Sequence, residues 1–192
     1  RGFVCLCPRC FIFDDGADYA RNVAQMTARH ARWKGMSRML LDAQRAADLL
    51  ESLPYVDRGR IGCIGHSLGA KEALYASAFD ERFRATVFHE GGMGLGMSNW
   101  DAVWYLGPQI REPSFPREHY ELLALVAPRS FLLIAGGESD NAQSWHYVKA
   151  ALPIYRLFEA DSRFGWVVHT GGHNYTRFAR AVAEEFLERQ LR

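Results

Sequence analysis

Apolar residues along the chain fall into short runs separated by longer stretches whose apolar positions recur every three or four residues. Residues 3–7, 60–64, 85–89, 130–135 and 165–169 form the short runs and are read as strands. A long amphipathic helix is predicted over 37–52, where Met39, Leu40, Ala43, Ala46, Ala47 and Leu50 share one face. Pro54 and Asp57-Arg58-Gly59 end it. Further helices are predicted over 68–79, 117–125, 143–159 and 175–191, with a short one at 19–29 inside the polar stretch 14–35. Strands separated by helices of this length imply βαβ crossovers. The expectation is one α/β domain over 1–192, with a mainly parallel sheet and helices on both faces. Residues 91–116, rich in Gly and Trp, follow the third strand. They are expected to form a loop or small cap at the carboxyl ends of the strands, where such sheets place ligands.

Composition narrows the field without adding to it. The 192 residues are 48% hydrophobic and 23% charged, ordinary for a globular domain. Lys and Arg total 23 against 22 Asp and Glu, a formal charge of +1. With no basic stripe, no nucleic-acid partner is expected. No apolar run is long enough to span a bilayer, so no membrane partner is expected either. Cys5, Cys7, Cys10 and Cys63 lack the paired spacing of a zinc site, so no metal is expected. Cys5 and Cys7, alternating along a strand, are read with Cys63 as small packing residues in a reducing, cytoplasmic setting. The chain opens with Arg1 rather than Met, directly into an apolar run, so the natural N-terminus is expected to be absent.

The chemistry centres on Gly65-His66-Ser67-Leu68-Gly69. This G-x-S-x-G lies between a predicted strand and a predicted helix, the context of a nucleophile elbow, in which a sharp turn lifts the serine above the sheet. Gly65 and Gly69 are expected to be small because side chains there would strike the neighbouring strand and helix. Serine needs a base to take its proton, and the base needs a third group to hold its tautomer. In this arrangement the partners follow in the order serine, acid, histidine. His173, in a Gly-flanked turn after the last strand, is the expected base. Asp140 is the expected acid, 73 residues after Ser67 and 33 before His173, with Glu138 and Glu90 as alternatives. For Glu90, the plainer role is accepting bonds from the amides of the Gly91-Gly92 turn. The backbone N–H of Leu68 should supply one oxyanion donor, with residues 8–11 the nearest source of a second. His66, Trp100, Trp104 and Trp145 are expected to line the substrate site, although the tryptophans equally suit an ordinary cap packed on the core.

The run Arg60 to Lys71 resembles the elbow of bacterial dienelactone-hydrolase-like and acetyl-xylan-esterase-like α/β hydrolases. So do Phe79-Asp80-Glu81-Arg82-Phe83, the strand ending Glu90-Gly91-Gly92, Ser98-Asn99-Trp100-Asp101 and the Gly172-His173 turn. The resemblance implies an α/β-hydrolase fold over essentially the whole chain. Arg1-Gly2-Phe3-Val4 resembles that fold's fourth strand, which implies that the first three strands and the oxyanion loop are missing. Either a longer natural protein supplies the third strand, or the first visible strand shifts into its place. Dienelactone hydrolases themselves use a cysteine nucleophile, whereas Ser67 here points to ester hydrolysis. The implied activity is a serine esterase working through an acyl-enzyme on a small-molecule carboxylic ester, with no cofactor. A prolyl-oligopeptidase-like peptidase and a non-catalytic binding protein of the same fold are the rival readings, and homo-oligomer formation is left open.

Overall fold

The computed structural model describes residues 2–16 and 18–192, so Arg1 of the opening run lies outside the described residues. Four strands form one sheet in the order β1 (Ile61–His66), β2 (Phe83–His89), β3 (Ser130–Ala135) and β4 (Phe164–Val168), every neighbouring pair parallel. All six residues of β3 are buried, as its continuous apolar run requires of a strand covered on both faces.

The described residues also form seven α-helices: α1 (Tyr19–Arg29), α2 (Gly35–Ser52), α3 (Leu68–Phe79), α4 (Val103–Leu106), α5 (His119–Val126), α6 (Trp145–Leu157) and α7 (Arg177–Leu191). When strands follow one another in order, right-handed crossovers place all the connecting helices on one face. Accordingly Leu74 of α3, Leu123 and Val126 of α5, and Val148 and Ala151 of α6 pack on Phe88, Phe131 and Leu133. Ala179 and Ala183 of α7 cover the opposite face, against Val87, Leu132 and Ile134. Ala43 and Ala47 of α2 meet Ile61, Ala76 and Phe83.

Residues 91–116 do not lie loosely over the strand ends. Trp100 and Tyr105 join Phe11, Met26, Met36 and Met39 in a cluster that ties this segment to α1 and α2.

The predicted first strand is absent. Residues 3–7 take up no regular structure, and Phe3, Val4 and Leu6 are exposed. A strand exists only through a ladder with a neighbour. Among the described residues β1 pairs with β2 alone, so the opening run does not shift into place beside it. The reading of Cys5 and Cys7 as buried packing residues fails with the strand, since both are exposed. Cys63 does pack, with Sγ 3.4 Å from Thr86 Oγ1, and burial pushes its thiol up to about 12.

Candidate active site

Ser67 joins β1 to α3 with φ +54° and ψ −116°, a conformation that costs a non-glycine residue on the order of 1–3 kcal/mol. Its N–H donates to the His89 carbonyl at 2.9 Å, and its own carbonyl accepts from the N–H groups of Ala70 and Lys71. The turn is tight enough that a Cβ on Gly65 would lie 1.9 Å from the Gly69 carbonyl oxygen. Gly69 has open space around it, so the steric reason expected for it holds at Gly65 alone. Leu68 begins α3, and its N–H finds no acceptor among the described residues. It is an open donor at the positive end of a helix.

His173 stands in the turn between β4 and α7. Its Nδ1–H donates to Glu90 Oε2 at 3.2 Å, with Ser139 Oγ 3.3 Å from the same nitrogen. A carboxylate can only accept, so Nδ1 carries the proton and Nε2 is the basic nitrogen. The His173 ring lies 4.8 Å from that of His66, the residue before Ser67. Among the described residues Ser67 Oγ takes part in no hydrogen bond. Unliganded sites are often this loose, and the bond tightens when substrate is bound.

Glu90 is one residue beyond β2, fully buried, with φ +54°. That positive φ turns its side chain over the strand ends into the loop after β3. There it accepts from the N–H of Gly136, of Ser139 at 2.9 Å and of Asp140 at 3.2 Å, besides His173. Burial alone would raise its pKa, but these donors outweigh burial and hold the carboxyl below its ordinary range.

Asp140 is turned away from His173. Its oxygens accept from the N–H of Gly92 and Met93, both at 2.7 Å, and from Ser144 Oγ at 2.9 Å. Glu90 therefore takes the position expected of Asp140, and Asp140 holds the Gly-rich turn expected of Glu90. Glu138 is exposed, its carboxylate beside Gly172 with no bond to His173.

The aromatic residues divide. Trp100 has no exposed surface: its Nε1–H donates to the Gly92 carbonyl at 2.6 Å, and it cannot touch a substrate. Trp104 is half-buried, stacked on Tyr105 with ring centres 3.9 Å apart and edge-on to Phe11. Trp145 is 40% exposed and pairs with Trp166 of β4. Phe11, at the end of the 8–11 segment, is buried in the same cluster, and this segment makes no bond to Ser67.

Two features escaped sequence reasoning. Lys71 is fully buried, its Nζ bonded to the Gly91 carbonyl and 4.3 Å from the centre of the Trp100 ring. Burial pulls its pKa down to about 8, against the opposing pull of Asp140. The second feature is a contact chain of rings, His66 to His89 at 2.7 Å and His89 to His169 at 3.0 Å. Sequence signalled it only as histidines closing two of the predicted strands, His89 and His169, with His66 two residues past a third.

Comparison with known proteins places the chain among α/β hydrolases. A 4-O-methyl-glucuronoyl methylesterase of Cerrena unicolor is 31% identical over 124 residues, covering 50% of this chain and 26% of that protein. A dipeptidyl-peptidase 5 of Porphyromonas gingivalis is 29% identical over 107 residues, 54% of this chain and 14% of that protein. Among solved structures, a glucuronoyl esterase from Solibacter usitatus superposes with a TM-score of 0.71 at 25% identity, over 82% of this chain and 49% of that one. The chain thus spans about half the length, or less, of the relatives it matches. The dienelactone hydrolase family matches residues 1–111, more than half of the sequence and including the elbow and Glu90, and the chain belongs to that family.

Proposed function

We propose that the chain carries the catalytic centre of a serine esterase. Ser67 attacks the ester carbonyl, His173 Nε2 takes its proton and passes it to the leaving alcohol, and water then releases the acyl group by the same route. Glu90 holds His173 in the Nδ1–H tautomer and stabilises the imidazolium that forms. The Leu68 N–H, at the helix terminus, faces the developing oxyanion. The observation that carries this reading is the strained Ser67 at the elbow together with a histidine already oriented by a buried, ionised carboxylate. The relatives named for glucuronoyl esters suggest a methyl ester of a glucuronic acid as the natural type of substrate.

The test is hydrolysis of p-nitrophenyl acetate and of methyl glucuronate by the intact chain and by Ser67→Ala. Turnover abolished in Ser67→Ala, with fluorophosphonate labelling at Ser67, is the expected result. A chain that neither hydrolyses an ester nor takes the label leaves the binding-protein reading in its place. Cleavage of a peptide substrate in preference to both esters would favour the peptidase reading.

A further inference from the structure

We infer that His89 and His169 are positioning residues that lock His66 into one neutral tautomer beside His173, leaving the elbow with a single free basic nitrogen. The inference rests on the reading of His173 as the general base.

The three rings belong to the ends of three strands. His66 and His89 close β1 and β2 and are register partners, and His169 follows β4. Strand alternation turns all three toward the α7 side of the sheet, and β3 is followed there by Gly136-Gly137, which puts no side chain between the second and third rings. Tyr175 lies against His66 and His89, and Phe178 against His169.

One backbone amide determines every proton in the chain. The N–H of Gly171 donates to His169 Nδ1 at 3.0 Å, so that nitrogen carries a lone pair. The proton of the neutral His169 ring is then on Nε2, which donates to His89 Nε2 across 3.0 Å. His89 must therefore carry its proton on Nδ1, which donates to His66 Nδ1 across 2.7 Å. His66 is left with its proton on Nε2 and its lone pair occupied. Of the two imidazoles flanking Ser67, only His173 presents an unoccupied basic nitrogen. A freely turning His66 would present a second one 4.8 Å away, ring centre to ring centre.

The surroundings keep His66 and His89 neutral. His66 faces His89, His173, Glu90 and Tyr175, while His89 faces His66, His169, Glu90, His173 and Tyr175. Burial, then the neighbouring histidines, outweigh the attraction of Glu90: His66 is lowered, and His89 is pushed down to about 4. The same Gly171 cap argues against a proton wire. A proton can enter at His169 Nδ1 only by breaking the bond that sets the chain's direction.

The tautomers can be read directly from histidine nitrogen–proton correlation spectra of the 15N-labelled full chain at pH 7. The expected pattern is His89 protonated on Nδ1, with His66 and His169 protonated on Nε2. A proton on His89 Nε2, or a doubly protonated ring among the three, overturns the inference. Two variants then test the lock. H169L removes the donor to His89, so the His66 signals should shift to the other tautomer or to a mixture. For p-nitrophenyl acetate, kcat should fall about tenfold at unchanged KM. H169Q keeps an N–H for His89 and should return kcat to within about threefold of the unaltered chain. If His66 is unmoved in H169L, or H169L and H169Q lose activity equally, the positioning role is wrong. A chain that shows these tautomers but hydrolyses no ester sinks the esterase reading and leaves the lock standing, because the spectra need no turnover.

Discussion

Glu90 and Asp140 are both fully buried carboxylates that accept bonds from backbone amides, yet removing their charge should have different consequences. Glu90→Gln keeps the shape but puts an amide opposite His173 Nδ1, where it can favour the wrong tautomer. Loss of kcat by about three to four orders of magnitude with a near-native melting temperature is expected. In Asp140→Asn one side-chain N–H would face the amides of Gly92 and Met93. A stability loss of about 1–3 kcal/mol, with kcat reduced far less than in Glu90→Gln, is the expected outcome in urea unfolding and esterase assays. An Asp140→Asn chain that is stable but inert would return the acid's role to Asp140. Sequence order could not separate the two, for a physical reason: each carboxylate is anchored in the other's loop. Glu90 follows β2 but is held by amides of residues 136–140, and Asp140 follows β3 but is held by amides of residues 92 and 93. Their positions in the chain were legible, and the crossing of their side chains was not. Ser67 and His173 were legible because each is fixed by its own local turn.

At the scale of the elements, the elbow depends on one glycine more than on the other. Alanine at Gly65 would place Cβ 1.9 Å from the Gly69 carbonyl oxygen, a backbone atom that cannot move without unwinding the first turn of α3. Alanine at Gly69 meets nothing within 4 Å and sits in the first turn of a 12-residue helix. Gly65→Ala should therefore cost about 3 kcal/mol or more, or prevent folding. Gly69→Ala should be neutral or stabilise by up to about 1 kcal/mol. Thermal melts of the two variants decide it, and equal destabilisation would mean the open space at Gly69 is not real. The helices other than α4 and the four paired strands were readable from periodicity because each carries its apolar face along its own sequence; α4 is a single turn inside the segment read as a loop or cap. Residues 3–7 have the same apolar look, but a strand needs a neighbour, and no local pattern states whether one is there. The covering of Trp100 was equally hidden, since it depends on α1 and α2 folding back over residues 91–116.

At the scale of the whole molecule, buried ionisable groups on the two sides of the sheet set the pH range of stability. Burial pushes His89 down to about 4 and His119 to about 3 from an ordinary 6.5, so the folded chain holds both rings neutral. Their contribution is fully present above pH 6.5 and is lost as the pH falls toward those values, because only the unfolded chain takes up the protons. Glu72 works in the opposite direction. Burial, then the nearby Asp42, raises it from 4.5 to about 7, so its penalty is greatest above pH 7 and is relieved as the carboxyl protonates on acidification. Two histidines against one carboxylate leave a net loss toward acid. The melting temperature should drop by roughly 5 °C between pH 7 and pH 5. Glu72→Gln removes the opposing group and separates the two effects. That variant should melt higher than the parent at pH 7 and fall more steeply toward pH 5. A parent curve that is flat or rises between pH 7 and pH 5 would mean that the histidines are not held neutral by the fold. A Glu72→Gln curve parallel to the parent's would remove Glu72 from the balance and leave the two histidines alone to account for the acid loss.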